Sequence, residues 1–137
     1  MGRFNDACAD YDGPRPKVML LHHTYVASDE ADTALAADEL SRFYNYFGAW
    51  FQNKRAVSQG HIDPLSDADM AGNAMMAPGN MARDLTIGTA QEVIDQIKRY
   101  EDLGYDEYSF WIDSGMSIAR KRASLDRFIN DVMHAFA

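Results

Sequence analysis

Lys17-Val18-Met19-Leu20-Leu21-His22-His23-Thr24-Tyr25-Val26-Ala27 is a continuous, largely apolar run. Gly13-Pro14-Arg15-Pro16 precedes it and Ser28-Asp29-Glu30 follows. A short run rich in Val, Tyr and Thr between turn-forming clusters is the pattern of a strand covered on both faces, as in a parallel sheet. Successive strand side chains point to opposite faces, so His22 and His23 cannot chelate one metal together. Either one of the pair faces a ligand, or both are polar groups satisfied in the core.

The flanks fix the fold class. Phe4, Ala7, Cys8 and Tyr11 recur at helical spacing up to the Gly-Pro cluster. After the strand, Ser28 supplies a capping hydroxyl, and Asp29 and Glu30 suit the positive end of a helix dipole. Ala31, Ala34, Leu35, Leu40, Phe43, Tyr44, Phe47 and Phe51 then form a broad apolar stripe to about Asn53. Periodicity fails from Ala56 to Leu85, a stretch holding Gly60, Pro64, Gly72, Pro78, Gly79 and the methionines Met70, Met75, Met76 and Met81. It reads as a long loop, and loops of that length are functional lids or disordered. Thr89 and Glu92 form a capping box, Val93, Ile94, Ile97 and Tyr100 line one helix face, and Gly104 ends the helix. Tyr105 to Ile112 is a second strand, broken by Asp113-Ser114-Gly115. Leu125, Phe128, Ile129, Val132, Met133 and Phe136 mark a final helix. Helices alternating with strands indicate an α/β architecture with parallel strands. The chain divides as helix, strand and helix over 1–55, long loop over 56–85, and helix, strand and helix over 86–137. Two strands are too few for a self-sufficient sheet covered on both faces, so 1–137 reads as one partial domain.

The 137 residues include 21 acidic and 13 basic side chains, for a formal net charge of −8. With 47% hydrophobic and 25% charged residues the chain has globular composition. The acidic balance argues against a general nucleic-acid binder, which needs cations for the phosphates. No apolar run approaches the ~20 residues of a membrane span. Met1-Gly2-Arg3-Phe4-Asn5-Asp6 lacks the basic start and apolar stretch of a secretion signal. Cys8 is the one cysteine; it permits no internal disulfide, suits a reducing compartment, and reads as a buried, inert thiol. The expectation is a soluble cytoplasmic chain.

Two stretches together resemble the C-terminal part of the bacterial luciferase-like, flavin-dependent monooxygenases. Val18 to Ala34 is similar to that family's late barrel strand running into a helix with an acidic start and spaced alanines. Ile87-Gly88-Thr89-Ala90-Gln91-Glu92-Val93-Ile94, continuing through Leu103-Gly104-Tyr105, resembles its Gly-Thr-Pro-Glu-Glu turn, helix, glycine and final strand. Ala90 stands where the turn usually has proline. Phe128 to Phe136 is similar to the closing helix, with His134 where a proline is common. The resemblance implies the C-terminal portion of a (β/α)8 TIM barrel, two strand-helix units with a lid-like loop. A whole barrel typically needs ~250 residues. It also implies reduced FMN (or, in relatives, a deazaflavin), oxygen, a small-molecule organic substrate and a flavin reductase partner. In this family most flavin contacts come from earlier strands, which lie outside this chain.

In a parallel barrel the chemistry sits at the C-terminal ends of the strands. That points to Trp111 as a stacking surface or core residue, and to Asp113 and Ser114 as hydrogen-bonding groups or a plain turn. His22 is a possible donor to flavin or substrate. Arg55 or Arg83, beside the methionine-rich loop, is placed to close over an anion if the loop is a lid rather than an insertion or oligomer contact. Arg120, Lys121 and Arg122 sit near a helix start, where cations are disfavoured unless an anion binds or water solvates them. His61 and Asp63 have ligand-like spacing, but no further ligands match, so no metal is expected. The leading expectation is a C-terminal segment of a luciferase-like monooxygenase. The alternatives are a non-catalytic half-barrel subunit that self-associates through unpaired strand edges, or a truncated fragment with no independent role; self-association or a complementing barrel segment is the expected partner.

Overall fold

The computed structural model describes residues 1–113 and 115–137. In chain order the elements are α1 (Gly2–Ala9), β1 (Met19–Val26), α2 (Glu30–Gln52), a hairpin of β2 (Val57–Ser58) and β3 (His61–Ile62), and α3 (Asp67–Ala71). A 3-10 turn (Ala74–Met76), α4 (Pro78–Asp84), β4 (Thr86–Gly88), α5 (Ala90–Asp102), β5 (Glu107–Trp111) and α6 (Ile118–Arg127) complete the order. α6 continues into a wide π-type turn, Phe128–Val132, and a 3-10 turn, Met133–Phe136.

β1 is the central strand of a three-stranded sheet in the order β4-β1-β5. It pairs in parallel with β5 over its first half, Met19 opposite Glu107 through His23 opposite Trp111. Over its second half it pairs in parallel with β4, Thr24 opposite Thr86 through Val26 opposite Gly88. The expected two strands are therefore three. β4 is hidden in the sequence because its three residues run directly into the Thr89–Glu92 capping box. That box forms as expected: the Glu92 carboxylate accepts from Thr89 N–H and Oγ1 at 2.8 and 2.9 Å. Gly88 is required beside it, since a Cβ there would stand 2.7 Å from Glu92 Oε2.

Alternate strand residues enter two cores. Tyr25 and Ile87 pack with Ala36, Ala37 and Leu40 of α2 and Met81 of α4. Val26 packs on the opposite face with Val93, Ile94 and Ile97 of α5 and with Phe128 and Val132. Helices thus pack on both faces of the sheet. Among the described residues the parallel sheet has three strands, where closure of a barrel needs eight. The wide turn after α6 replaces the regular final helix that the spacing predicted, and both of its buried residues, Phe128 and Val132, reach the same core. The buried Ser124 hydroxyl accepts the Val26 N–H at 2.7 Å, satisfying a strand donor at the sheet's end.

Three further expectations are corrected. The stretch 56–85 is not a featureless loop but a hairpin and three short helical pieces. Each piece is shorter than a readable apolar period, and its signals are local: Ser66 and Asp69 form a capping box, and Pro78 opens α4. Polar latches hold the stretch to α2: Ser41 Oγ donates to Met76 O at 2.5 Å, and Asn73 Nδ2 to Asn45 Oδ1 at 3.0 Å. Secondly, β1 is not covered along its whole length: Met19 and Leu21 are 56% and 54% exposed on one face of its first half. Thirdly, α2 does not bury its whole apolar stripe. It buries Ala36, Ala37, Leu40, Ser41 and Asn45 and leaves Trp50 and Phe51 61% and 64% exposed. It is capped by Asp29, which accepts from Asp32 N–H at 2.9 Å, rather than by Ser28. Cys8 is only half-buried, on a helix with no buried residue.

Candidate functional site

The sheet register decides which sequence candidates meet. His23 lies opposite Trp111, so the two rings stack, with centroids 4.2 Å apart and planes 22° off parallel. Trp111 is 38% exposed and His23 only 2%. From α2, Phe43 sets its ring at 81° to the indole with centroids 6.1 Å apart. Tyr44 stands edge-on to His23, its hydroxyl 2.5 Å from His23 Nδ1. The other ring nitrogen, His23 Nε2, is buried without a hydrogen-bond partner. An unpaired buried polar group is costly and demands a reason. Burial drives the His23 pKa down to about 4, with His22 adding to the shift and the Asp113 carboxylate opposing it. The imidazole is neutral at pH 7. Burial also raises the Tyr44 hydroxyl above its usual range.

The aromatic surface extends beyond this cluster. Phe43 stacks on Phe47 at 5.7 Å, and Phe47 meets Phe51 at 4.6 Å. The ladder runs from the sheet to the end of α2.

His22 points to the other face. Its Nδ1 is 2.8 Å from Thr86 Oγ1 and 3.5 Å from the Tyr100 hydroxyl, beneath α5. Burial lowers its pKa. Arg83 is on α4, where it forks onto its neighbour Asp84 at 2.7 and 2.8 Å. Asp113 is bound by Lys121. Ser114 lies outside the described residues. Of the sequence candidates, Trp111 and Asp113 thus stand near one another, with His23 rather than His22 as their companion. Phe43 and Tyr44 read in the sequence only as helix core, and no local signal sets the register that brings them to Trp111.

Two of the three cations near the start of α6, Arg120 and Lys121, are matched by carboxylates. Arg120 pairs with Asp32 at 2.6 Å and with Glu39, and its guanidinium lies 5.1 Å from the centroid of the Tyr25 ring. Burial works against the Asp32 charge, but Ser28 N–H, Arg120 and the Tyr25 hydroxyl outweigh it and hold the carboxyl below its usual range. This network lines an open cavity of about 510 Å³ that also includes Ser28, Asp29 and Arg127. An external anion is not needed there. Replacing Arg120 by Met is expected to cost about 2 kcal/mol, because two half-buried carboxylates lose their shared counter-charge. Urea unfolding measures this; a change below about 0.5 kcal/mol, as for exposed pairs, contradicts it.

The chain belongs to the luciferase-like monooxygenase family, whose profile matches residues 5–107. It is 57% identical over 138 aligned residues to the oxygenase component of a flavin-dependent trigonelline monooxygenase from Acinetobacter baylyi. The match takes in all of this chain but only 38% of that relative's length. Among the described residues, no helix is long and apolar enough to cross a membrane.

Proposed function

We propose that this chain is the C-terminal share of a (β/α)8 oxygenase that uses reduced FMN, or a related flavin, and oxygen to oxidise a small organic substrate, with a separate reductase supplying the reduced flavin. The observation that carries this reading is the 57% identity, along the whole chain, to an oxygenase component. By the same likeness the substrate is of trigonelline's class, an N-methylated pyridine carboxylate.

The site suits the ring of a flavin better than its phosphate. Trp111 offers a flat apolar surface, and His23 Nε2 is a buried hydrogen-bonding atom with no partner. On the phosphate side, Arg55, Arg83, Arg120 and Lys121 each already hold a carboxylate. When bound, the reduced flavin supplies the electrons with which oxygen is activated. The residues here wall the reacting groups from water and orient them, which limits side reactions. The Tyr44 hydroxyl fixes the imidazole of His23 through Nδ1.

The test is reduced-FMN binding by this chain, alone and mixed with the portion of the Acinetobacter relative that the chain does not match. Binding in the mixture, followed by oxygen-dependent turnover once a reductase is added, is the expected result. A mixture that takes up no flavin ends the enzymatic reading for this chain.

One observation favours a second reading. Met19, Leu21, Trp50 and Phe51 leave an apolar surface bare, and β5 is an outer strand. Such surfaces invite a second copy of the chain. Mass determination by light scattering decides it: a monomer across the micromolar range removes self-association.

A further inference from the structure

Tyr44, His23 and Trp111 form a connected series that runs from α2 to the exposed end of β5. The Tyr44 hydroxyl is 2.5 Å from His23 Nδ1, close enough for a proton to pass directly between the two atoms. The Trp111 indole stacks on the face of the same imidazole, with centroids 4.2 Å apart and planes 22° off parallel. Trp111 is 38% exposed and His23 only 2%, so the series starts at the surface and its middle member is shut off from water.

In this cluster the phenol and the indole lose a single electron readily; phenylalanine and neutral imidazole do not. Loss of an electron turns a phenol into a strong acid, and the oxidised state lasts only where a base takes the hydroxyl proton. His23 Nδ1 is placed as that base, the usual part of a histidine in proton transfer. The imidazole is neutral at pH 7, because burial holds its pKa near 4. With the phenol donating to Nδ1, the hydrogen of the neutral ring sits on Nε2, which has no partner. Asp113 favours positive charge on His23, so an imidazolium formed by the transfer has a carboxylate nearby. Comparable groups elsewhere lack a part. The Tyr100 hydroxyl is 3.5 Å from His22 Nδ1, but Thr86 Oγ1 is nearer that nitrogen, at 2.8 Å. Among the described residues no indole stacks on His22. Trp50 is 61% exposed, and its ring neighbours are Phe47 and Phe51.

We infer that Trp111, His23 and Tyr44 form a proton-coupled relay, which draws a one-electron oxidising equivalent inward from the exposed indole and holds it on Tyr44. A one-electron oxidant, such as an oxygen-derived radical or a photo-oxidised metal complex, takes an electron from the Trp111 indole and is reduced. Tyr44 passes an electron to the indole cation and restores it, while the hydroxyl proton moves to His23 Nδ1. One O–H bond breaks and one N–H bond forms, leaving a neutral tyrosyl radical beside an imidazolium. A small reductant such as a thiol, giving back one electron, reverses the sequence; the buried imidazolium returns its proton because desolvation disfavours its charge. The inference goes beyond the oxygenase reading and needs no bound flavin.

The test is flash photolysis of the 137-residue chain with a ruthenium polypyridyl photo-oxidant and a sacrificial electron acceptor, read by transient absorption and electron paramagnetic resonance. A tryptophanyl signal is expected first, giving way to a tyrosyl signal, with the conversion slower in heavy water because a proton moves with the electron. Tyr44→Phe, which keeps the ring, should lose most of the tyrosyl signal and prolong the tryptophanyl one. Trp111→Phe should also lose most of the tyrosyl signal, whereas Trp50→Phe and Tyr100→Phe should leave it intact. His23→Phe keeps a ring against the indole but removes the base, and should slow the conversion, with circular dichroism checking the fold. Should that variant not fold, Tyr44→Phe and Trp111→Phe decide the matter. A tyrosyl signal unchanged in either of those two, or a conversion of equal rate in heavy water, overturns the relay. The chain is tested without flavin, so failure of flavin binding leaves this result standing, and failure of the relay leaves the oxygenase reading untouched.

Discussion

Lowering the pH from 7 to 5 is expected to remove about 2 kcal/mol of unfolding free energy through His23 alone, approaching about 3 kcal/mol by pH 4. The imidazole is 2% exposed and takes a proton only near pH 4 in the folded chain, against 6.5 for an ordinary histidine. Between those values the unfolded chain binds the proton and the folded chain does not, so stability falls as the pH falls. Above pH 6.5 both states are neutral and the contribution is flat. The cause is desolvation first, then the neighbouring His22; Asp113 offsets only part of it. Urea unfolding at pH 7, 6 and 5 measures the slope. His23→Leu starts from a different baseline, because it also loses the Tyr44 hydroxyl contact, but its curve should be flatter by about 2 kcal/mol over the same range. His22 pushes in the same direction in both chains and cancels from the comparison. Parallel slopes for the two proteins would show that His23 is not the buried neutral group described here.

The second large effect is expected from Leu40→Ala, at about 3 kcal/mol within the usual range of roughly 2–5 for a buried leucine. Leu40 is 1% exposed and joins α2 to Tyr25 and Ile87 of the sheet and Met81 of α4. Truncation removes its transfer free energy and leaves a cavity between three elements that cannot all collapse together. Leu35 lies on the same helix and belonged to the same sequence stripe, yet it is half exposed. Leu35→Ala should change stability by less than about 0.5 kcal/mol, as is usual for surface substitutions. Equal losses at the two positions would mean that α2 presents a different face to the sheet.

The contrast between these leucines shows what the sequence carries and what it leaves open. Periodicity identified α2 as a helix and nearly located its end, where Asn53 adopts the left-handed conformation. It did not rank the helix's apolar positions, because α2 is apolar around more than half its circumference and the sheet is only three strands wide. The capping box at Thr89 was legible since its chemistry is local: a hydroxyl, a carboxylate and two backbone donors within four residues. β4 was not, because three residues have no period, and its identity rests on pairing with Thr24 to Val26. The site divides in the same way. Trp111 and Asp113 were readable as residues at a strand's C-terminal end. The choice of His23 over His22 was not, since adjacent strand positions differ only in face, and the faces are assigned by helices elsewhere in the chain. The cations of α6 illustrate a third limit. Their placement against the dipole was visible, but their partners Asp32 and Glu39 lie more than 80 positions away.

The offset pairing of β1 bears on how the chain comes together. At the start of the β1–β5 ladder, Asp106 N–H donates to Val18 O at 2.9 Å, and Val18 N–H donates to the Asp106 carboxylate across 88 positions. Closing a flexible loop of that length costs about 4 kcal/mol beyond a constant, before any contact compensates. The latch between Ser41 and Met76 spans only 35 positions, and the hairpin and caps of the 56–85 stretch are more local still. Assembly therefore proceeds from the middle outward: α2 and its attached segment organise first, and the sheet forms last.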